Sequence, residues 1–243
     1  MRKNWIYPDW PAPAQVKTLV TTRAHGISQG VYSGLNLGDH VGDNWVDVAQ
    51  NRTLLREELP SEPHWLKQMH GSTVAYADHL KELVEADAAV SKRAGNVCAI
   101  LTADCLPVLF CATDASVVGA AHAGWRSLAA GVLEQTVDVM EHAPGQIMAW
   151  LGPAIGPTAF EVGDEVRQVF IADMPQAVTA FKGLGTGKWL ANIYALARLR
   201  LQRSGITQIY GGDLCTYNDA ERFYSYRRDG VTGRMASLIW IAR

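Results

Sequence analysis

The stretch VCAILTADCLPVLFCATDASVVGAAHAGWR, residues 97–126, holds three nearly continuous apolar runs at 97–101, 108–111 and 117–121. Runs of that length without polar alternation are covered on both faces, so they predict three buried strands at the centre of a layered protein. Thr113-Asp114 marks a turn between the second and the third. Gly124 then lets the backbone turn tightly into a helix. Leu128, Ala129, Val132, Leu133, Thr136, Val137 and Met140 share one helical face and predict a single helix over about 126–142, stopped by Pro144-Gly145.

Working outward, Trp45, Val48, Leu55 and Leu59 predict a helix over 45–59, capped by Asp43 or Asn44 and ended by Pro60. Short strands are expected at 16–22, 64–68, 73–77 and 88–91, and the polar, glycine-bearing segment 23–44 reads as a long loop whose length makes it a functional candidate. Downstream come a strand at 147–151, a rigid loop at 152–157 and a helix at 163–172. A long helix carries Leu190, Ile193, Tyr194, Ala197 and Leu201, and strands follow at 206–210 and 235–241. Strands and helices mix throughout, which implies an α/β or α+β layered sandwich. No repeat, linker or charge block marks a boundary, so one domain over 1–243 is expected.

The 243 residues are 48% hydrophobic and 19% charged, the balance of a chain that buries a core and not of a disordered one. A formal net charge of −2 argues against a nonspecific nucleic-acid binder, which needs a basic excess to displace counterions, and favours a small-molecule partner. The amino terminus is basic but lacks a signal-peptide run, and no later run is long enough to span a bilayer. A cytoplasmic location follows as the expectation, with neither a membrane nor an obligate protein partner. The four cysteines, Cys98, Cys105, Cys111 and Cys215, lack CxxC spacing and are expected to be reduced.

Cys105 stands at the junction of two apolar strands, where Leu106-Pro107 is expected to end regular pairing or confine it to a sheet edge. His122 closes the most apolar strand, and His70 lies upstream in Gln68-Met69-His70-Gly71. Taken singly, Cys105 reads as a small core residue and His122 equally well as a hydrogen-bonded turn residue. Asp104 beside the cysteine suggests a hydrogen-bonding or metal-related purpose, since carboxylates are rarely buried without one. Together, His70, Cys105 and His122 suggest a His₂Cys metal site with one open coordination position, a donor set suited to zinc and also open to copper. Arginines in 226–234 offer bidentate contacts to phosphate or carboxylate, or form a plain basic turn. Gly183-Leu184-Gly185-Thr186-Gly187-Lys188 lacks the strand and the Ser/Thr of a phosphate-binding loop and reads as a flexible loop. His25, His40, His64, His79 and His142 have no comparable context.

Thr21-Thr22-Arg23, Leu35-Asn36-Leu37-Gly38, Val41-Gly42-Asp43, Gln68 to Gly71, Thr102 to Pro107, His122 to Arg126, Gly152 to Gly156 and Phe223 to Arg228 occur in that order. In these motifs the chain resembles the bacterial YfiH family, also called the laccase-domain or polyphenol oxidase family, from Trp10 to Ile241. The resemblance implies a single-domain, four-layer α/β/β/α sandwich with two mixed central sheets, akin to the cytotoxic necrotizing factor catalytic domain. It implies that His70, Cys105 and His122 meet at one metal, usually taken as zinc, in a pocket that acts on purine nucleosides with phosphate. The implied activities are phosphorolysis of adenosine, inosine, guanosine and methylthioadenosine, and adenosine deamination, with a role in peptidoglycan editing. On that footing Cys105, His122 and Asp104 are the catalytic candidates, Asp104 orienting a ligand or moving a proton, and Arg23 and Arg126 are the anion contacts. Ser127 and Asn192 depart from the residues frequent in the family, glycine and aspartate. The rival readings are a copper laccase, a cysteine hydrolase using Cys105 with His122, and a noncatalytic binding module. The chain has 7 histidines but none of the His-x-His pairs on which multicopper oxidases rely.

Overall fold

Val97–Thr102, Leu106–Ala112 and Val118–Ala123 are strands in the computed structural model, which describes residues 4–80 and 82–243. Met1, Arg2 and Lys3, part of the basic amino terminus, lie outside the described residues. Every residue of the three strands is buried, as continuous apolar runs require. They divide, however, between two sheets. Val97–Thr102 belongs to a four-stranded sheet ordered Val16–Val20, Met235–Ile241, Val97–Thr102, Pro63–His64. The other two are central in a six-stranded sheet ordered Gln208–Gly211, Ile147–Leu151, Leu106–Ala112, Val118–Ala123, Ala88–Ser91, Val74–Tyr76. Each sheet combines antiparallel with parallel pairs.

The period-two alternation of strand side chains sorts the core into layers. Cys98, Ile100 and Ile239 of the smaller sheet share a core with Leu109, Cys111, Val118 and Ala120 of the larger. On the far side of the smaller sheet, Val97, Ala99 and Leu101 meet Leu35, Leu37 and Leu55, the last from the helix Trp45–Arg56. On the far side of the larger sheet, Val108, Phe110 and Ala121 pack with Leu128, Leu133, Val137, Leu196 and Leu201 from three helices. The result is a four-layer α/β/β/α sandwich, the mixed α/β architecture that the resemblance implied. Among the described residues, no helix is long and apolar enough to cross a membrane.

Several local expectations are corrected. Pro107 lies inside a central strand, paired with His122, and neither ends pairing nor marks an edge. Its carbonyl accepts from Gly152 N at 2.9 Å, just past the end of Ile147–Leu151, so the side on which proline lacks a donor faces no regular strand. The single helix over 126–142 is two helices, Trp125–Ala129 and Val132–Met140, separated because Gly131 takes a left-handed φ of 87°. Leu190 is in a strand, Lys188–Ala191, and the helix begins only at Ile193. The glycine-rich 183–188 segment is not a free loop, since Phe181–Gly185 and Lys188–Ala191 pair as a hairpin that joins Glu161–Gly163 in a small third sheet. Tyr226–Asp229 is a short helix capped by Ser225, where a hairpin or tight loop was expected.

The long 23–44 loop is tied to the helix Trp45–Arg56 by buried Asn51. Its Nδ2 donates to Ser28 Oγ and to Asn36 O, both at 2.9 Å, and its Oδ1 accepts from Ile27 N at 2.9 Å. Asn44 is the cap of that helix, accepting from Val46 N at 3.0 Å.

Candidate metal centre

The chain leaves the smaller sheet at Thr102 and enters the larger at Leu106, so Cys105 sits on the link between them. Leu106–Ala112 and Val118–Ala123 run antiparallel with Leu106 opposite Ala123 and Pro107 opposite His122. That register returns His122 to the mouth of the hairpin beside Cys105. His70 arrives from a turn outside the sheets, where it takes a left-handed φ of 59°. Its Nε2 lies 3.7 Å from Cys105 Sγ, and its ring meets that of His122 edge-on with centroids 4.8 Å apart.

The donor atoms of His70, Cys105 and His122 all lie within 4.8 Å of one another. A tetrahedral zinc bonded at about 2.0 Å to nitrogen and about 2.3 Å to sulfur spaces such donors by roughly 3.3–3.7 Å, so small adjustments close this set round the ion. The chemistry of the donors agrees. Burial alone would push the Cys105 thiol up, but the adjacent imidazoles of His122 and His70 outweigh it and bring the thiol down to about 6. Cys111, buried with no such neighbours, is pushed up to about 12. Burial works against charge on His122 as well, yet Cys105 and Asp87 beside it raise its affinity for a proton. The thiolate is the ligating and nucleophilic form of cysteine.

Gly124 closes the site from the helix side. A β-carbon there would lie 2.9 Å from Cys105 Sγ and 3.1 Å from His70 Cδ2, so a larger residue would push the donors apart. The three donors face a cavity of about 540 Å³ whose walls include His40, Gln68, Trp125, Arg126, Phe160, Tyr226, Arg227 and Arg234.

The site residues expected from the sequence fall into two groups. His70, Cys105 and His122 converge, and Arg126 borders the cavity with its guanidinium 4.3 Å from the Trp125 ring. Asp104 borders it too, with its carboxylate held by three hydrogen bonds. Thr216 Oγ1 donates to it at 2.6 Å, Ser225 Oγ at 3.0 Å and Arg227 N at 2.7 Å, which makes Asp104 the anchor of the 225–227 segment. Arg23 is placed elsewhere. It lies outside the cavity wall, donates to Ala220 O and Ser33 O, and sits 4.7 Å from the Tyr224 ring centre. Asn192 caps the helix Ile193–Arg203 by accepting from Ala195 N, a task aspartate performs equally well. Ser127 is buried and does not border the cavity.

Four further residues at the site were not singled out individually in the sequence. Asp87, 1% exposed, accepts from His122 Nδ1 at 2.8 Å. Its signal was a lone carboxylate at the head of the apolar run Ala88-Ala89-Val90. His40 comes from the long loop, and Arg227 and Arg234 come from the arginine cluster, which had pointed to anions without saying which members face inward. Arg234 is half-buried, and burial lowers its affinity for a proton. Nη1 donates only to the backbone carbonyls of Thr232 and Gly233, and among the described residues no carboxylate forms an ion pair with it.

The family model for multi-copper polyphenol oxidoreductase laccase matches residues 17–242. A purine nucleoside phosphorylase of Pseudomonas aeruginosa is 52% identical over 238 residues, covering 98% of each chain. The purine nucleoside phosphorylase YfiH of Escherichia coli is 52% identical over 244 residues, covering 97% of this chain and 98% of that one. Among solved structures, a Neisseria meningitidis protein described by the family model DUF152 superposes with a TM-score of 0.96 at 52% identity, over 99% of this chain and 100% of that one. YlmD from Geobacillus stearothermophilus superposes with a TM-score of 0.91 at 31% identity, over 100% and 98%.

Proposed function

We propose, from the premise that the chain belongs to the laccase-domain family of YfiH proteins, that it is a zinc-dependent purine nucleoside phosphorylase acting as one domain. The observation that carries this reading is the convergence of His70, Cys105 and His122 on one cavity that also holds unpaired arginine. In phosphorolysis the bond from the ribose anomeric carbon to the purine nitrogen breaks, a phosphate oxygen bonds to that carbon, and the departing base takes a proton. His70, Cys105 and His122 would hold zinc, which when bound would supply Lewis-acid polarisation. Arg234 and Arg126 bind the phosphate, and Arg227 extends this wall. Trp125 and Phe160 present apolar surface for the purine.

Adenosine, inosine, guanosine and methylthioadenosine share a purine ring and the N-glycosidic bond this arrangement addresses. Adenosine deamination is a second activity of the same cavity, favoured by a donor set of three that leaves a position for water. No feature of the cavity points to a cell-wall fragment. The test is purified protein with adenosine, with and without phosphate, resolving adenine, inosine and hypoxanthine, alongside metal analysis. Phosphate-dependent adenine release by zinc-loaded protein is the expected result, and the absence of every product from metal-replete protein defeats the reading. Stoichiometric copper with rapid phenol oxidation supports the laccase instead. Activity that survives chelation but not thiol alkylation supports a cysteine hydrolase.

A further inference from the structure

We infer that Asp87 is the positioning residue that assembles the metal site, holding His70 and His122 in place through a single carboxylate. The inference rests on the reading that His70, Cys105 and His122 take zinc. Ala88–Ser91 pairs antiparallel with Val118–Ala123, with Ala88 opposite Ala121, so Asp87 falls beside His122 at the rim of the larger sheet. The backbone fixes this first, since His122 N donates to Asp87 O at 2.7 Å.

The carboxylate then faces two ways. Oδ1 accepts from His122 Nδ1 at 2.8 Å and from His70 N at 3.0 Å. Oδ2 accepts from Gly71 N at 2.6 Å and from Met69 N at 3.1 Å. Three consecutive backbone amides thus converge on one side chain, which is possible only because the chain turns left-handed at His70, an uncommon conformation for a residue with a β-carbon. The Nδ1 contact fixes the His122 ring and leaves Nε2 as the donor nitrogen. A second tether reaches the third ligand: the Gln68 side-chain amide pairs in both directions with the Leu101 backbone, at 2.8 Å each way, on the strand that leads to Cys105. His70, on a turn outside the sheets, is thereby referenced to the strand that carries His122 and to the strand that leads to Cys105.

All four contacts on the Asp87 oxygens come from N–H groups, so an asparagine can satisfy only half of them. Whichever way its amide is turned, an NH₂ group opposes either the 69 and 71 amides or the 70 amide and the His122 ring. Asp87→Asn therefore keeps the size of the side chain and removes the positioning.

Zinc affinity, measured by competition with a chromophoric chelator, is compared for wild type, Asp87→Asn and the ligand control His70→Ala. Asp87→Asn is expected to bind zinc 10–100-fold more weakly than wild type, with the folded state verified by circular dichroism at the same temperature. If His70→Ala loses zinc while Asp87→Asn binds as wild type does, the positioning role is wrong and the metal centre stands. If wild type binds no better than His70→Ala, the metal centre itself is wrong. Should Asp87→Asn not fold, amide hydrogen exchange on metal-free wild type decides. Protection at Met69, His70 and Gly71 is expected, and exchange at the rate of an open loop overturns the inference.

Discussion

A β-carbon on Gly124 would stand 2.9 Å from Cys105 Sγ, closer than real side chains approach. The glycine caps Trp125–Ala129 without any side-chain contribution, so its role here is spatial. Gly124→Ala is predicted to displace the thiolate from the imidazoles and weaken zinc binding about 10-fold or more, comparable to the loss of a supporting contact. Thermal stability of the metal-free protein should change little, because alanine costs a few tenths to about 1 kcal/mol against glycine at a helix cap. Calorimetric zinc titration checks this, and unchanged affinity would show that the site is roomier than the glycine implies.

The low affinity of Cys105 for a proton gives the metal-free protein a chemical signature. Alkylation by iodoacetamide proceeds through the thiolate, so the modification rate at Cys105 should rise with pH and level off above a midpoint near about 6. Cys111, at about 12, should stay unreactive in the folded protein. Zinc should slow alkylation of Cys105 wherever it stays bound, because coordination draws electron density from the sulfur and covers it, and the protection should fade at low pH as protons compete for the ligands. Peptide mapping after timed alkylation separates the two cysteines; equal rates at both would contradict the assigned environment.

Arg234 and Arg23 are both half-buried arginines, yet only Arg234 borders the cavity. Arg234→Ala is predicted to raise KM for phosphate about 10-fold, in line with roughly 1.5–3 kcal/mol for a hydrogen bond to a charged group, while KM for the nucleoside stays near its wild-type value. Arg23→Ala should leave both constants unchanged and lower the melting temperature, since it severs the contacts to Ala220, Ser33 and Tyr224. Steady-state kinetics with phosphate and nucleoside varied independently separates the two residues.

The three central runs were legible because burial on both faces removes polar alternation, and the nearness of Cys105 to His122 followed from a hairpin whose turn lies at 113–116. Their division between two sheets was not legible, because 103–105 looks like any other link and the partner strand Met235–Ile241 lies far along the chain. Asp87 escaped for a related reason. Its meaning comes from Ala88–Ser91 pairing with Val118–Ala123, and one carboxylate before an apolar run carries no mark of its partner. Asp104, by contrast, stood out for its position beside the cysteine, yet Thr216, Ser225 and Arg227 reach it only through the fold. Gly131 was overlooked because the apolar face continues across it, and only the backbone φ shows the break.

Arg200 tests whether stability and site chemistry separate. Its side chain, 4% exposed, meets Glu134 at 3.0 Å and Asp173 at 2.9 Å, while Arg203 reaches the same two carboxylates at 3.0 Å each. Arg200 Nη2 also donates to Ala129 O at 3.0 Å, at the carboxyl end of the helix Trp125–Ala129. The network thus joins Val132–Met140, Asp164–Asp173 and Ile193–Arg203 behind the larger sheet. Removing one member of a buried pair costs about 3–5 kcal/mol, because the remaining charge loses its partner. Here Asp173 is 45% exposed and Arg203 still serves both acids, so Arg200→Met is predicted to cost less, about 2 kcal/mol, after allowance for solvent screening. Urea unfolding measures the loss. Zinc affinity and KM values of the folded variant should equal those of wild type, because nothing in the network borders the cavity. A fall in zinc affinity at constant fold would instead show that Trp125–Ala129, and with it Gly124, is held in register against Cys105 from the opposite side of the sheet.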